Sequence, residues 1–409
     1  MTTMPQQLLR HPVLWLALAG LAFPLVVGDF WVGTVAARVL IIGTMALSLT
    51  FLTSSAGLVS FAQAGVAGVA GYTLALLSPN ITGVGVAVPW PLAVGAALGM
   101  GTLAGLLVGW VSVRSSGIYL LMITLAMSVS LFYLVSQNTE VFNGFDGING
   151  LKPPELFGID LRAPIPFYGM ALAAAVLSAA AVMHLDRTPF GLQLHALRNA
   201  PRRVAALGFS TTLLRIAAFG IAGLIASVGG VLNTWFSGQM SPGAVDVHAA
   251  VNLLVVAVLG GIRHPLGAFL GAAAFVLLEN YAASVIDRER FNLVIGAVFI
   301  VIVLFAKDGL IGLIQQLRAQ IKPAWTGVCA KNGRKTVCRR PCTRCWAPPA
   351  SRLSCPARPC HPLSRRTYGS ARWPRWRAPS RSPAWTACAA SSWRWTPSRG
   401  RSPASGSCW

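Results

Sequence analysis

The composition of this 409-residue sequence excludes an ordinary soluble protein. Hydrophobic residues make up 55% of the chain, charged residues only 11%, and the mean hydropathy is +0.62, values typical of a polytopic membrane protein. The net charge of +22 belongs to one end, because 18 of the 33 Lys and Arg residues lie after Ile321, where the sequence has no Asp or Glu. Residues 1–320 therefore carry little net charge, and we expect no nucleic acid as a partner.

Residues 1–320 contain a series of apolar stretches that predicts an all-α transmembrane bundle. A helix needs about 20 mostly apolar residues to cross a bilayer. Small residues recur at helix-packing spacing, as at Gly95 and Gly99, so that neighbouring helices can approach closely. About ten spans are predicted, at residues 12–27, 34–52, 57–77, 90–113, 117–135, 165–183, 213–232, 249–262, 265–286 and 291–305.

The distribution of charges in the connecting loops predicts the orientation of the bundle. The loop 184–203 has four Arg residues against one Asp, whereas residues 137–162 have four acidic residues against two basic ones. Loops rich in positive charge stay in the cytoplasm. Ten alternating spans then place both the N- and the C-terminus in the cytoplasm of a multi-pass protein of the cell (inner) membrane.

The third predicted span, 57–77, has the sequence GLVSFAQAGVAGVAGYTLALL. Ala64, Gly68 and Gly71 leave one helical face nearly bare, so a neighbouring helix is expected to pack there. Ser60 and Gln63 are polar in an otherwise apolar segment. They either hydrogen-bond a neighbouring helix or line a pathway for the substrate.

Two acidic residues are further candidates for the substrate path. Asp146 lies in a Gly-rich segment predicted to be outside, where it either faces the substrate or its receptor protein, or caps a tight turn. Glu279 lies inside the span 265–286, where a carboxylate is costly unless it is paired or hydrated. It either meets water on the path or forms an ion pair with Arg288 or Arg290. We expect Arg38, in the second span, to extend its charge towards the interface.

Residues 184–211 form the longest basic loop between predicted spans. A short amphipathic helix, interrupted at Pro201, is expected here, because apolar residues alternate with basic ones. Such an element is too polar to enter lipid, so it should lie parallel to the membrane against another protein or the membrane surface. Its apolar side chains include Leu197, Val204 and Leu207, and it ends at Gly208.

Four segments of the sequence resemble the permease subunits of branched-chain amino acid ABC importers, the LivM type. These segments are the span 57–77, the pair Leu207-Gly208 with Arg198 upstream, the glycines of 142–150, and LLVVAVLGGIRHPLGAFLGAAAF at 253–275. The resemblance implies a translocation path shared with a second permease subunit, two ATP-binding subunits, and a periplasmic or extracellular solute-binding protein. It also implies that branched-chain amino acids are carried.

The resemblance assigns the loop 184–211 a role in coupling to the ATPase. Its short helix would lie in a groove of an ATP-binding subunit, with the apolar side chains of Leu197, Val204 and Leu207 buried there and Arg198 among the basic residues at the rim. The sequence has no G-x-x-x-x-G-K-[ST] phosphate-binding motif, so ATP would bind to the partner subunits. We expect no catalytic residue, no metal site and no cofactor in this chain, which would not be an enzyme.

Residues 321–409 are dominated by Arg, Pro, Ser, Ala, Cys and Trp, and they contain all eight Cys residues. They show no hydrophobic period, which predicts disorder. Either the segment is a translation in a wrong reading frame, or it is a genuine tail whose Cys spacing suggests zinc. An alternative function follows, in which a membrane-anchored protein acts through this basic tail on nucleic acid or another partner. A weaker alternative is an ion-coupled secondary transporter, which the scarcity of charged pairs in the spans disfavours.

Overall fold

The structure, a computed structural model, describes residues 30–285 apart from 82, 84, 87, 116, 155–162 and 263. It also describes some residues between 16 and 28, Gly296 and residues 309–312. The predicted tenth span, except for Gly296, and the tail 321–409 lie outside the described residues, and the first span is described only in fragments. The described residues all belong to one contact unit, Met1–Cys329.

The described part of the chain is built from helices. Their order along the chain is α1 (Trp31–Ala56), α2 (Ala62–Leu77), α3 (Trp90–Ser112), α4 (Ile118–Gln137), α5 (Thr139–Phe142), α6 (Pro164–Arg187), α7 (Pro189–Asn199), α8 (Pro201–Ala206), α9 (Thr211–Ser237), α10 (Val247–Gly260) and α11 (Gly267–Val285). Helix α1 begins and ends with π-helical turns, Trp31–Ala36 and Leu52–Ala56. Two short strands, β1 (Ile148–Asn149) and β2 (Gln239–Met240), complete the fold.

The all-α, multi-pass architecture is confirmed. Among the described residues, six helical segments are long and apolar enough to cross a membrane, namely Trp31–Ala56, Trp90–Ser112, Ile118–Gln137, Pro164–Arg187, Thr211–Ser237 and Pro242–Gly260. Two shorter apolar helices, Ala62–Leu77 and Gly267–Tyr281, match the predicted third and ninth spans. The count of ten spans and the side on which the termini lie stay predictions.

The prediction of one continuous helix over residues 57–77 is wrong. Gly57 adopts the left-handed conformation, with φ of 69°, and ends α1. Glycine takes this conformation at helix ends without steric cost. Helix α2 therefore begins only at Ala62, and its 16 residues give a length of roughly 24 Å, which is shorter than the hydrocarbon core of a bilayer.

Helix α9 lies at the centre of the bundle, where it packs against α1, α2 and α3. Small residues allow these close approaches. A Cβ atom added to Gly105 of α3 would lie 2.9 Å from the Cα atom of Gly223 on α9, and one added to Gly230 of α9 would overlap the carbonyl group of Ala67 on α2. Helix α1 packs on its other sides against α6, α10 and α11.

The packing face predicted on α2 lies inside the molecule. A Cβ atom added to Gly68 would lie 2.6 Å from Cγ2 of Val245, and one added to Gly71 would lie 2.6 Å from Oγ1 of Thr234 on α9. Ala64 is also buried. These residues therefore face protein: Gly71 faces a neighbouring helix, whereas Gly68 faces the segment that precedes α10.

The two ends of the bundle carry different secondary structure. At one end, which we call the strand end, β1 and β2 pair antiparallel, with Ile148 opposite Met240 and Asn149 opposite Gln239. The opposite end, which we call the α7 end, carries α7 and α8 together with the last turn of α1. Successive long helices run alternately between these two ends.

Candidate functional site

The predicted coupling loop folds as two short helices on either side of Ala200 and Pro201. Helix α6 continues to Arg187, and α7 begins after Thr188, whose hydroxyl accepts a hydrogen bond from the backbone N–H of Gly191 at 3.4 Å. Pro189 follows at the first position of α7, where proline lacks only a donor that would be unpaired anyway. Pro201 then starts α8, which ends at Ala206, so the helix is interrupted at the proline that the sequence indicated.

Side-chain contacts hold α7 against the last turn of α1. Arg198 donates a hydrogen bond to the carbonyl oxygen of Ser54 at 2.6 Å, one of the carbonyl groups that a helix end leaves unpaired. The hydroxyl of Ser55 donates to Asp186 at 2.9 Å, and His195 Nε2 lies 3.7 Å from the same carboxylate. These contacts attach α7 directly to α1.

The apolar side chains of this element divide between the core and the surface. Leu197 and Val204 are only 3% and 4% exposed, and they belong to the main hydrophobic core. The prediction that these two side chains lie in a groove of a partner is thereby corrected, because their own chain already buries them. Leu207 is 75% exposed and Leu192 is 71% exposed, so these leucines carry the surface that another protein could cover.

The end of α8 is open to solvent. Gly208 follows Leu207 with φ of 87°, and no atom lies within 4 Å of the position that a Cβ would occupy. Arg202 and Arg203 are exposed beside it. The outer surface of α8 therefore combines an apolar side chain with basic ones.

The polar residues of the α2 segment are enclosed by protein. Ser60 is buried, and its hydroxyl accepts a hydrogen bond from the N–H of Ala62 at 3.2 Å. Gln63 is 0% exposed, and neither its amide oxygen nor its amide nitrogen has a hydrogen-bond partner. Ser60 therefore bonds its own segment, and Gln63 is a buried polar group that neither of the two predicted roles accounts for.

Asp146 lies at the strand end, in a short 3-10 turn, Gly144–Asp146, and is exposed. Its backbone carbonyl accepts a hydrogen bond from Asn149 Nδ2 at 3.2 Å, and the carbonyl of Gly147 accepts one from Asn143 Nδ2 at 2.8 Å. The two asparagine side chains thus stabilise the turns that Asp146 was a candidate to cap. Its carboxylate remains at the surface.

Glu279 forms an ion pair with Arg38, which joins α11 to α1. Arg38 Nη2 lies 2.8 Å from Glu279 Oε1, and the two side chains are 41% and 24% exposed. An arginine that extends to the interface is thereby corrected to one that pairs with a carboxylate within the spans. Arg288 and Arg290, the partners considered from sequence, lie outside the described residues.

A cavity of about 640 Å³ at the strand end was not predicted from sequence. It lies between the first turns of α1 and α6, the last turn of α9 and the chain that follows β1. Aromatic side chains form much of its wall, and the side chain of Lys152 lines it as well. The lining includes Phe30, Thr34, Lys152, Phe167, Trp235 and Phe236.

In the part of the chain that the structure describes, no three His, Cys, Asp or Glu side chains lie close enough together to hold a metal ion. The Cys-rich tail lies outside this part. The binding of ATP to partner subunits stays a prediction.

Comparison with known proteins gives a consistent result over most of the chain. Residues 32–303 match the family model described as branched-chain amino acid transport system / permease component. The permease protein LivM of the high-affinity branched-chain amino acid transport system of Salmonella typhimurium is 27% identical over 348 residues, covering 78% of this chain and 78% of its own length. The Escherichia coli LivM protein is 27% identical over 346 residues with the same coverage.

A more distant relative has a different named cargo. The ribose import permease protein RbsC of Escherichia coli is 26% identical over 222 residues, covering 53% of this chain and 67% of its own length. No solved structure matches the chain. The family match covers more than half of the sequence, and it includes α2, the α7–α8 element and the helices around α9. The chain therefore belongs to the family of permease components of branched-chain amino acid ABC transport systems.

Proposed function

We propose that this chain is the permease subunit of an ATP-driven importer for branched-chain, hydrophobic amino acids in the inner membrane. It forms the translocation path with a second permease subunit, and it receives its cargo from a solute-binding protein outside. The LivM relatives support the choice of cargo. The similarity to a ribose permease makes the cargo the part of this proposal that most needs a direct test.

The α7–α8 element is the observation that carries the proposal of ATP coupling. It pairs a firm attachment to α1, through Arg198 and Ser54, with exposed apolar side chains at Leu192 and Leu207. Covering these apolar side chains with another protein would be favourable, because it removes apolar surface from water. The chain has no phosphate-binding motif of its own, so we assign this surface to an ATP-binding subunit on the cytoplasmic side.

The energetic contribution of Leu207 can be set against that of its basic neighbours. Apolar anchors in the centre of an interface typically cost about 2 kcal/mol or more when removed, whereas charges at the rim cost little. Because about 1.4 kcal/mol is a factor of ten in affinity, a charge at position 207 should weaken ATPase binding more than tenfold. Loss of the Arg202 charge should change binding only slightly.

The test compares Leu207→Asp with Arg202→Ala in the assembled importer, with co-purification of the ATP-binding subunit and amino acid uptake as the two measurements. Leu207→Asp should lose both while the permease stays folded, and Arg202→Ala should keep both. Val204→Asp serves as the folding control, because it places a charge in the core and should lower the yield of the permease itself. If Leu207→Asp retains the ATPase and uptake, this surface does not couple ATP hydrolysis to transport.

A further inference from the structure

The cavity at the strand end has the features of a binding site for a small amphipathic solute. Its volume of about 640 Å³ lies within the range of about 300–1,000 Å³ that small-molecule sites occupy. We propose that it receives a hydrophobic amino acid before translocation, with the solute's side chain against the aromatic wall and its carboxylate at Lys152. This inference rests on the proposed function and names a site for its cargo.

The aromatic wall is held in place by contacts between different helices. The rings of Phe167 on α6 and Phe236 on α9 lie with their centroids 5.9 Å apart at an angle of 36°. Trp235 and Phe236 are half-buried, so each keeps part of its ring available to the cavity. A wall of this kind favours an aliphatic group over a hydrated one, because burial of apolar surface is favourable.

The backbone that carries Lys152 is fixed by the short sheet. The N–H groups of Gly150 and Leu151 both donate to the carbonyl oxygen of Gly238, at 3.1 and 3.0 Å. Leu151 is buried in the small core beneath β1 and β2. Lys152 therefore follows an anchored residue, and its side chain is the part of this segment that is free to adjust to a solute.

The charge of the site favours an anionic group. Among the described residues that line the cavity, Lys152 carries the only ionisable side chain. It also forms no ion pair with any acidic residue that the structure describes. A lysine ammonium is a compact point charge with three donors, which suits the carboxylate of an amino acid.

The test measures equilibrium binding of radiolabelled leucine to the purified, complete permease complex without its solute-binding protein. Leucinamide, which keeps the side chain and the ammonium group but lacks the carboxylate, is the competitor. The wild-type complex should bind leucine about tenfold more tightly than the amide. Lys152→Met should remove that difference by weakening leucine binding alone, whereas Lys152→Arg should restore most of it.

Two further variants distinguish binding in the cavity from a general effect of removing an aromatic ring or a positive charge. Phe236→Ala should weaken leucine and leucinamide equally, because it removes part of the wall that both side chains contact. Arg114→Met removes an exposed positive charge at the other end of the bundle, beyond α3, and should change neither affinity.

The outcomes distinguish this inference from the proposed function. Suppose that the wild-type complex, supplied with its binding protein and ATP, takes up leucine. If the complex without the binding protein then binds no leucine, or if Lys152→Met binds leucine as tightly as wild type does, the cavity site is refuted and the proposed function stands. If Lys152→Met leaves leucine binding unchanged and removes only an anionic lipid that co-purifies with the wild-type complex, the cavity site is likewise refuted. If the wild-type complex takes up no hydrophobic amino acid, the proposed function fails.

Discussion

Adding one methyl group to a glycine tests how closely α2 is packed. In Gly68→Ala the new Cβ atom would lie 2.6 Å from Cγ2 and 3.4 Å from Cγ1 of Val245. Carbon atoms that are not bonded prefer a separation of about 3.5–4.0 Å, so the closer contact overlaps by about 1 Å. Val245 is fully buried in the core beneath the short sheet. Its side chain therefore cannot move away without displacing its own neighbours.

The same substitution at Gly95 on α3 provides a matched control. Both residues lie inside helices, so alanine should add the same helix-propensity gain of about 0.5–1 kcal/mol at each position. No atom lies within 4 Å of the Cβ position at Gly95, so the close helix contact expected there from its spacing is not made by the described residues of this chain. The difference between the two variants then isolates the packing cost, which for an added methyl group in a filled core is about 1–3 kcal/mol.

The assay is thermal unfolding of the single chain in detergent, followed by loss of the monodisperse peak. Gly95→Ala should melt at or slightly above the wild-type temperature. Gly68→Ala should melt lower than Gly95→Ala, by roughly 2–4 °C for each kcal/mol of packing cost. Equal melting temperatures for the two variants would refute the packing of α2 against Val245.

Two further predictions concern the ion pair in the spans and the tail. Glu279→Gln and Arg38→Gln should each destabilise the chain, because each leaves one charge unpaired. In a double-mutant cycle, the double variant should be more stable than the sum of the two single losses implies. Strictly additive losses would contradict the contact. Truncation after Ile321 should leave uptake intact in cells that make the other subunits, whereas loss of activity from a stably inserted truncated chain would favour a function for the basic tail.

The spans were predictable because hydropathy and helix length are local properties of a sequence. The predicted 90–113 and 117–135 match α3 and α4 within two residues at each end. The break at Gly57 was also encoded locally, since glycine commonly ends helices in the left-handed conformation. The predicted spans 34–52 and 57–77 already separate there, but hydropathy alone assigned residues 57–61 to the third helix, because most of them are apolar.

Contacts between distant parts of the chain were beyond sequence reasoning. Arg38 and Glu279 are 241 residues apart, and nothing local to either residue indicates the other. The same is true of β1 and β2, which are two residues long and pair across about 90 residues. The cavity was missed for this reason, because it exists only where five separate segments meet.

The α7–α8 element shows what an amphipathic pattern can and cannot predict. The pattern correctly indicated that an apolar face must be covered. It could not indicate by what, and the structure shows that α7 and α8 bury Leu197 and Val204 in their own chain. What distinguishes Leu207 from these two residues is the tertiary fold alone.

The scarcity of charged pairs within the spans was an argument against ion-coupled transport, and the Arg38–Glu279 pair weakens it. Identifying the energy source of transport therefore tests the proposed function most directly. The measurement is leucine uptake into proteoliposomes that contain this chain and its second permease subunit, with the solute-binding protein outside and the ATP-binding subunits present or omitted. The account predicts uptake only when the ATP-binding subunits and ATP are both present. Uptake that persists without them and follows an imposed ion gradient would contradict it.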